Sequence, residues 1–572
     1  MKYNNIKNLL IVILIYISLI YYLKIDSFNV LGFFILFPLY KYIKKYRGFT
    51  DKKNKLIAFA LSIFYNVGFI CYNNLYTQVN IFKIIFSIKN IFLWIGLYLF
   101  ILFIISYMLK IMENARLNSN DNFKSNRNLF IVSTIVILLL NTIYFLSCFP
   151  GLIAPDSIYQ IKQFKHIMAL TDHHPVLHTL FIKMGYKIGS FFTSNENMRA
   201  ACSTIIQMII MASIYSYFIV FLNNHRINKK IIIGLIIIFG LLPVYAFYSI
   251  SMWKDVLFGG FFLLFIISLY KIIENQEKIK FSNYLFLSVS MLLSLLFRNN
   301  ALYMFIIFIP IYLFYFRKKV LYHLITFIIT LSIFFVIKYP IYNHYQVERS
   351  RSWEYLGMPI QQVGRMAFKN IKFTKKEKKQ IEKFITIENL KKDYNPVLSD
   401  GIKFSLNLNQ QYFDTHNKEF LMLWKTLVYK HFDIAVESYF MSTIGYWYPN
   451  LINAAVELGV TPNDIDLYNT PLLPKNINKF INNLYRFDTP ILSLQWNIGL
   501  VIWILFLSGI VCIKKNKKYL LCYIPILGMW ATLMVASPVY GMLRYIFWAY
   551  TTFPFYILMN SFVNYEERDK GE

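Results

Sequence analysis

Runs of about 15–25 nearly uncharged residues recur along the whole chain, near 6–23, 27–43, 56–72, 91–109, 129–148, 198–222, 231–249, 255–271, 283–297, 301–316, 320–338, 491–513, 519–536 and 546–562. A helix needs about 20 mostly apolar residues to cross the hydrocarbon of a bilayer. A chain that is 57% hydrophobic and only 15% charged, with its apolar residues gathered in such runs, is wrong for one soluble core and wrong for disorder. The pattern predicts an all-α polytopic membrane protein with about 13–14 transmembrane helices. The basic start and uncleavable look of residues 1–24 read as a retained first span.

The formal net charge of +30 does not gather into one patch, which argues against nucleic acid as a partner. Basic clusters instead fall between the apolar runs, as cytoplasmic loops do under the positive-inside rule. With the N-terminus inside, the connections at about 44–55, 110–128, 223–230, 271–280, 317–319 and 514–518 and the C-terminal tail face the cytoplasm. The opposite face then receives 149–197, "SISMWKD", "RNN", a long segment at about 339–490, and "SPVYGMLRY". Four regions follow: N-terminal spans at 1–128, a transmembrane core at 129–338 with an outer loop at 149–197, a mostly helical extracytoplasmic segment at 339–490, and C-terminal spans with a cytoplasmic tail at 491–572. Cys71, Cys148, Cys202, Cys512 and Cys522 lie in or beside apolar runs without metal-like spacing, so neither a disulfide framework nor a zinc site is expected.

The outer loop carries "PDS" and then "TDHHPVLH". Asp156 or Ser157 would serve as a helix N-cap, which is the purely structural reading of Asp156. A second helix is expected to begin near Pro175, with Leu177, Leu180, Phe181, Met184 and Ile188 on one face and His178, Lys183 and Lys187 largely opposite. Such a helix would lie in the membrane interface. His174 and His178 have the spacing to share a metal, a weak signal that competes with ordinary hydrogen bonding.

An outer loop that opens with an aspartate and continues through Asp-His-His-Pro into a juxtamembrane helix resembles the GT-C superfamily. These are integral-membrane glycosyltransferases that use polyprenyl-phosphate sugars, and the arrangement is most similar to the branch of aminoarabinose transferases and protein O-mannosyltransferases. The pieces "SISMWKD", "LLFRNN", "WEYLGMPIQQVGR", "GYWYP" and "SPVYGMLRY" also resemble an uncharacterised family of bacterial polytopic membrane proteins, over most of the chain from about residue 130. Two departures stand out: roughly four extra spans precede the loop, and His-His-Pro replaces His-Pro-Pro.

The resemblance implies a GT-C-like fold and a sugar moved from a polyprenyl-phosphate donor to a glycan, lipid or protein acceptor at the outer face of a bacterial cytoplasmic membrane. It makes Asp156 the expected catalytic base and Asp172 a second carboxylate that positions the acceptor or, with Asp156, holds Mg²⁺ or Mn²⁺. His173, His174, Lys254, Arg298 and Arg544 are the expected partners of the donor phosphate, because cations aimed at a leaving phosphate stabilise its developing charge. Each has a structural reading as well: Lys254 can pair with Asp255, and Arg298 can snorkel. Gln361, Arg365, Trp447 and Tyr448 are candidates for acceptor contact. Two other functions fit a chain with many spans: a lipid-linked polysaccharide polymerase or ligase leaning on outer-loop arginines, and a glycolipid transporter or flippase.

Overall fold

The computed structural model describes residues 2–24, 41, 51–115, 117–119, 121–451, 458–485, 491–536 and 541–563. The run at 27–43, apart from Lys41, and the C-terminal tail lie outside the described residues. Among the described residues there are helices, turns and isolated β-bridges, and no strand. In chain order the main helices begin with α1 (Lys2–Leu23), α2 (Lys52–Asn73), α3 (Ile81–Ile85), α4 (Ile88–Asn114) and α5 (Asn126–Ser147). The loop contributes α6 (Pro155–Phe164) and α7 (Val176–Ser190), followed by α8 (Glu196–Asn224), α9 (Lys229–Leu241) and α10 (Pro243–Ser249). Next come α11 (Lys254–Glu274), α12 (Phe281–Phe297), α13 (Ala301–Tyr315) and α14 (Val320–Val336). The long segment supplies α15 (Gly357–Phe368), α16 (Gln410–Lys430) and α17 (Phe432–Thr443), and the C-terminal part α18 (Lys475–Asn483), α19 (Ile498–Lys515), α20 (Tyr523–Ala536) and α21 (Leu543–Phe562).

The protein is a polytopic, all-helical membrane protein: nine of its described helical stretches are long and apolar enough to cross a bilayer. Backbone amides in hydrocarbon have no water to bond, so each spanning segment must satisfy them internally as helix. Polar side chains close the ends. Ser125, Asn195, Asn228 and Asn497 accept from free backbone N–H groups at the starts of α5, α8, α9 and α19. Many apolar side chains point outward, among them Leu321, Ile325, Ile328 and Ile329 on α14. Lipid, not protein, is their solvent.

The run at 231–249, expected as one span, is a broken pair: α9 and α10 meet at 54° across Leu242. Pro243 causes this, since it cannot donate to the preceding turn. The freed groups are taken up locally. Val244 N–H donates to Gln495 Oε1 at 2.9 Å, and Tyr144 OH donates to the Leu241 carbonyl at 2.7 Å.

The chain divides into two compact units, residues 1–114, 352–451 and 535–541 in the first, and 115–351, 452–534 and 542–572 in the second. In the first, α1 and α2 pack on α4, and Gly96 lets α4 approach the backbone of α1 at Leu14. The long segment builds its own core from Val363, Met366, Ile381, Phe384, Phe413 and Leu427. A buried ionic knot ties it to the α2–α3 turn: Arg365 pairs with Glu437, Lys369 joins the same carboxylate at 2.6 Å, and Arg365 donates to the carbonyls of Leu75 and Thr77 at 2.8 and 2.9 Å.

In the second unit α5 and α7 pack on α8, and α11 packs against α12 and α21. Its connecting segments hydrogen-bond in two sets, one at each end of the helices. One set joins 119–126, 223–229, 274–277 and 315–319, as in Ser119 N–H to the Arg226 carbonyl at 2.8 Å and Lys319 Nζ to the Gln276 carbonyl at 2.9 Å. The other joins 149–175, 250–254, 299, 345–350 and 459–470. These are the same two sets into which charge alternation sorts them.

Candidate functional site

The loop after α5 enters the second unit through Gly151, whose φ of +126° suits glycine and where an added Cβ would lie 2.6 Å from Thr204 Oγ1. A short paired stretch then fixes its course. Leu152 N–H donates to the Ile250 carbonyl and Met252 N–H to the Leu152 carbonyl, both at 2.9 Å, while Ile153 N–H reaches the Gly459 carbonyl at 3.0 Å. This pairing sets the start of α6 beside the start of α11.

Asp156 sits inside the first turn of α6, with Ala154 as N-cap and no side-chain cap bond. The N-cap reading of Asp156 and Ser157 is therefore corrected: Ser157 Oγ donates to the Met252 carbonyl, and the Asp156 carboxylate turns toward cations. Arg544 Nη1, from the start of α21, donates to Asp156 Oδ2 at 2.8 Å, and His174 Nδ1 lies 3.9 Å from the same oxygen. Lys254, first residue of α11, donates from Nζ to His174 Nδ1 at 2.9 Å. Four residues from four parts of the chain thus meet in one cluster, with Asp156 partly exposed and His174 buried.

The electrostatics are lopsided. Burial alone would raise the Asp156 pKa, but the Arg544 guanidinium first, and the Lys254 ammonium with it, outweigh burial and hold the carboxyl well below the usual range. Burial, and then the Lys254 ammonium, push His174 well below the ordinary histidine value. The imidazole is therefore neutral, and with Nδ1 accepting from Lys254 its hydrogen sits on Nε2. The start of α11 adds its own partial positive charge, since no side chain caps it.

Trp253 and Tyr545, which sequence reasoning did not single out as site residues, frame this cluster. The Arg544 guanidinium stacks 5.3 Å from the Trp253 ring and 4.8 Å from that of Tyr545, whose hydroxyl also accepts from Nη2 at 2.9 Å. Two buried donors here, Trp253 Nε1 and Arg544 Nε, have no acceptor among the described residues. The available signal was adjacency: each aromatic residue directly abuts a predicted cation, in "MWKD" and "LRY".

The other expected site residues go elsewhere. Asp172 accepts from Ser350 N–H at 2.7 Å and Ser350 Oγ at 3.0 Å, pairs with Lys338 at 3.2 Å, and receives Asn299 Nδ2 on its carbonyl at 3.0 Å. It ties the loop to 345–350 and shares no ion pair with the Asp156 cluster among the described residues. His173 is exposed, its ring 4.4 Å from that of His174. Arg298 is buried and committed, pairing through Nη1 with Asp255 and donating from Nε to Asn300 Oδ1 at 2.7 Å. Lys254 takes His174 as its hydrogen-bond partner rather than Asp255.

His178 was expected on the polar face of α7 and is fully buried instead, its Nδ1 2.8 Å from Gln160 Oε1, with burial and then Lys254 pushing its pKa down to about 3. His174 and His178 thus have different partners. Among the described residues no group of three or more His, Cys, Asp or Glu is placed to hold a metal ion. The donor set at Asp156 suits a divalent ion poorly, because Arg544 and Lys254 already supply fixed positive charge.

In the first unit, Gln361 is buried and donates to the Asn395 carbonyl at 2.7 Å, and Arg365 belongs to the ionic knot. Trp447 and Tyr448, expected as an exposed pair that could stack on a sugar, are buried instead, against α2 where Gly68 leaves room for both rings.

An apolar groove of about 970 Å³ borders the loop in the second unit, with Phe164, Leu177, Leu180, Leu296, Ile337 and Ile341 among its walls. It reaches Val176, two residues after His174. Its far wall is the widened turn Ile337–Ile341 at the end of α14, which contains Pro340.

No curated protein and no solved structure matches this chain. A family of unknown function, DUF6020, matches residues 164–572. That match takes in His174, Lys254, Arg298 and Arg544 and begins eight residues after Asp156 (164 − 156). It covers more than half of the sequence, and the chain therefore belongs to the DUF6020 family.

Proposed function

We propose that this chain is a membrane glycosyltransferase that moves a sugar from a polyprenyl-phosphate donor to a cell-envelope acceptor at the outer face of the cytoplasmic membrane. What supports this reading above all is the Asp156 cluster, an ionised carboxylate beside two cations with unsatisfied donors around them. The GT-C resemblance of the loop adds to it.

In this reaction the acceptor oxygen attacks the anomeric carbon, the bond from that carbon to phosphate oxygen breaks, and polyprenyl phosphate leaves with the bonding pair. Asp156 takes the acceptor proton. Before substrate binds, Arg544 and Lys254 make Asp156 a poor base. A bound phosphate draws both cations to itself, and its negative charge raises the proton affinity of the neighbouring carboxylate. Arg544 Nε, Trp253 Nε1 and Lys254 Nζ are the donors offered to that phosphate, and neutral His174 donates through Nε2. The apolar groove takes the start of the prenyl chain.

The test is release of polyprenyl phosphate from lipid-linked sugar donors by protein in proteoliposomes. Asp156→Asn should lower turnover by about 10²-fold or more with normal insertion, and full activity in that variant rejects the assignment. The polymerase or ligase reading rests on outer-loop arginines, but Arg365 is spent in a buried pair, so Arg365→Ala reports folding and not chemistry. The transport reading draws on broken helices. At the α9–α10 break, Gln495 and Tyr144 already occupy the freed backbone groups.

A further inference from the structure

At the opposite end of the second unit, a cavity of about 510 Å³ opens between the end of α13 and the start of α20. Its apolar wall comes from Ile311 and Phe314 on one side and Leu520, Leu521 and Ile524 on the other. Arg317, Lys517 and Lys518 form its rim, and no carboxylate lines it. None of the three basic residues is ion-paired among the described residues. Two are laid against rings at the cavity edge, Arg317 5.4 Å from the Phe314 centroid and Lys518 4.8 Å from that of Tyr519.

The position fixes the chemistry. Arg317 follows the last turn of one apolar helix, and Lys517 opens the connection between two spans, so the rim lies at headgroup depth while the wall runs into hydrocarbon. An occupant must carry negative charge at one end and an apolar chain at the other. A free phosphate leaves the wall unused, and a zwitterionic lipid brings no net charge to the rim.

We infer that this cavity binds an anionic phospholipid, its phosphodiester on Arg317, Lys517 and Lys518 and an acyl chain along Phe314, Leu520 and Ile524. The site serves the leaflet on the side of the cationic connections and is separate from the Asp156 cluster. Basic pockets between spans hold acidic headgroups by this combination of charge and depth.

The experiment is native mass spectrometry of the purified full-length protein, titrated with equimolar phosphatidylglycerol and phosphatidylcholine and, in a second arm, with glycerol 3-phosphate. Wild type should retain phosphatidylglycerol about a hundredfold over phosphatidylcholine, each removed rim charge should lower that preference about fivefold, and glycerol 3-phosphate should not compete. Lys318→Gln, at an exposed neighbour outside the cavity, is the control and should change nothing. An unchanged preference in Arg317→Gln/Lys517→Gln/Lys518→Gln overturns the inference. Equal loss in Lys318→Gln reduces it to diffuse surface charge, and full competition by glycerol 3-phosphate reduces it to a bare anion site.

Discussion

Single residues in this molecule are governed by what surrounds their charge. Asp255 and Arg298 are 1% and 6% exposed and pair with each other. Removing one partner of a buried pair strands the other, at a cost of about 3–5 kcal/mol. Asp255→Ala should destabilise the protein by that amount in detergent melts, and adding Arg298→Met should recover most of it. His178 makes a different prediction. Its depressed pKa, like that of His174, means the unfolded chain binds a proton that the native state refuses below about pH 6.5. Stability is then full above that pH and declines on acidification, by roughly 1 kcal/mol per histidine from about pH 7.5 to about pH 5.5. His178→Gln should flatten the pH dependence of the melting temperature by about half. Asp156 contributes nothing in this window, because its carboxyl titrates far lower. From the sequence, Asp156 and His174 were readable through the loop motif and the resemblance it carries, and Lys254 and Arg544 as cations at the ends of apolar runs. Arg298 shared that signature, and only its depth beside Asp255 reveals a different use.

Helix faces were harder to read, and α7 shows why. Leu180, Met184 and Ile188, expected on the apolar face of an interfacial helix, are exposed, whereas His178, expected on the polar face with Lys183 and Lys187, is buried together with Thr179, Ile182, Gly185 and Gly189. Outside water, an apolar face has no drive to turn inward, and helices meet through small residues that allow close approach. The overlooked signal was Gly185-x-x-x-Gly189. A Cβ on Gly185 would come within 2.5 Å of the Ser203 backbone, and one on Gly189 within 2.8 Å of that of Arg199. Gly185→Val should push α7 off α8 and lower stability by about 1–3 kcal/mol, whereas Met184→Val, on the outward face, should be nearly silent in the same melts. Helix existence was far easier to read, because every described apolar run is helical. The α9–α10 break was signalled by Pro243, but its partners Gln495 and Tyr144 come from elsewhere in the chain.

At the scale of the whole molecule, charge alternation and hydrogen bonding sort the connections into the same two sets. Sidedness can therefore be tested directly. With Cys202 replaced by Ser and the four remaining cysteines buried, an impermeant thiol reagent applied to intact cells should label His166→Cys and leave Lys278→Cys untouched until the membrane is opened. The reverse pattern would move the Asp156 cluster to the cytoplasmic face and end the proposed reaction. Sequence order concealed the grouping of residues 352–451 with the first spans, since the knot around Glu437 depends on contacts nearly 300 positions apart, such as Arg365 with Leu75. The Asp255–Arg298 pair bears on biogenesis too. These residues stand at the same open end of the α11–α12 hairpin, one near its first residue and one just past its last. Threaded singly, α11 would bring in the Asp255 carboxylate and α12 the Arg298 guanidinium without each other; threaded together, the two enter already paired, so α11 should await α12 before leaving the translocon.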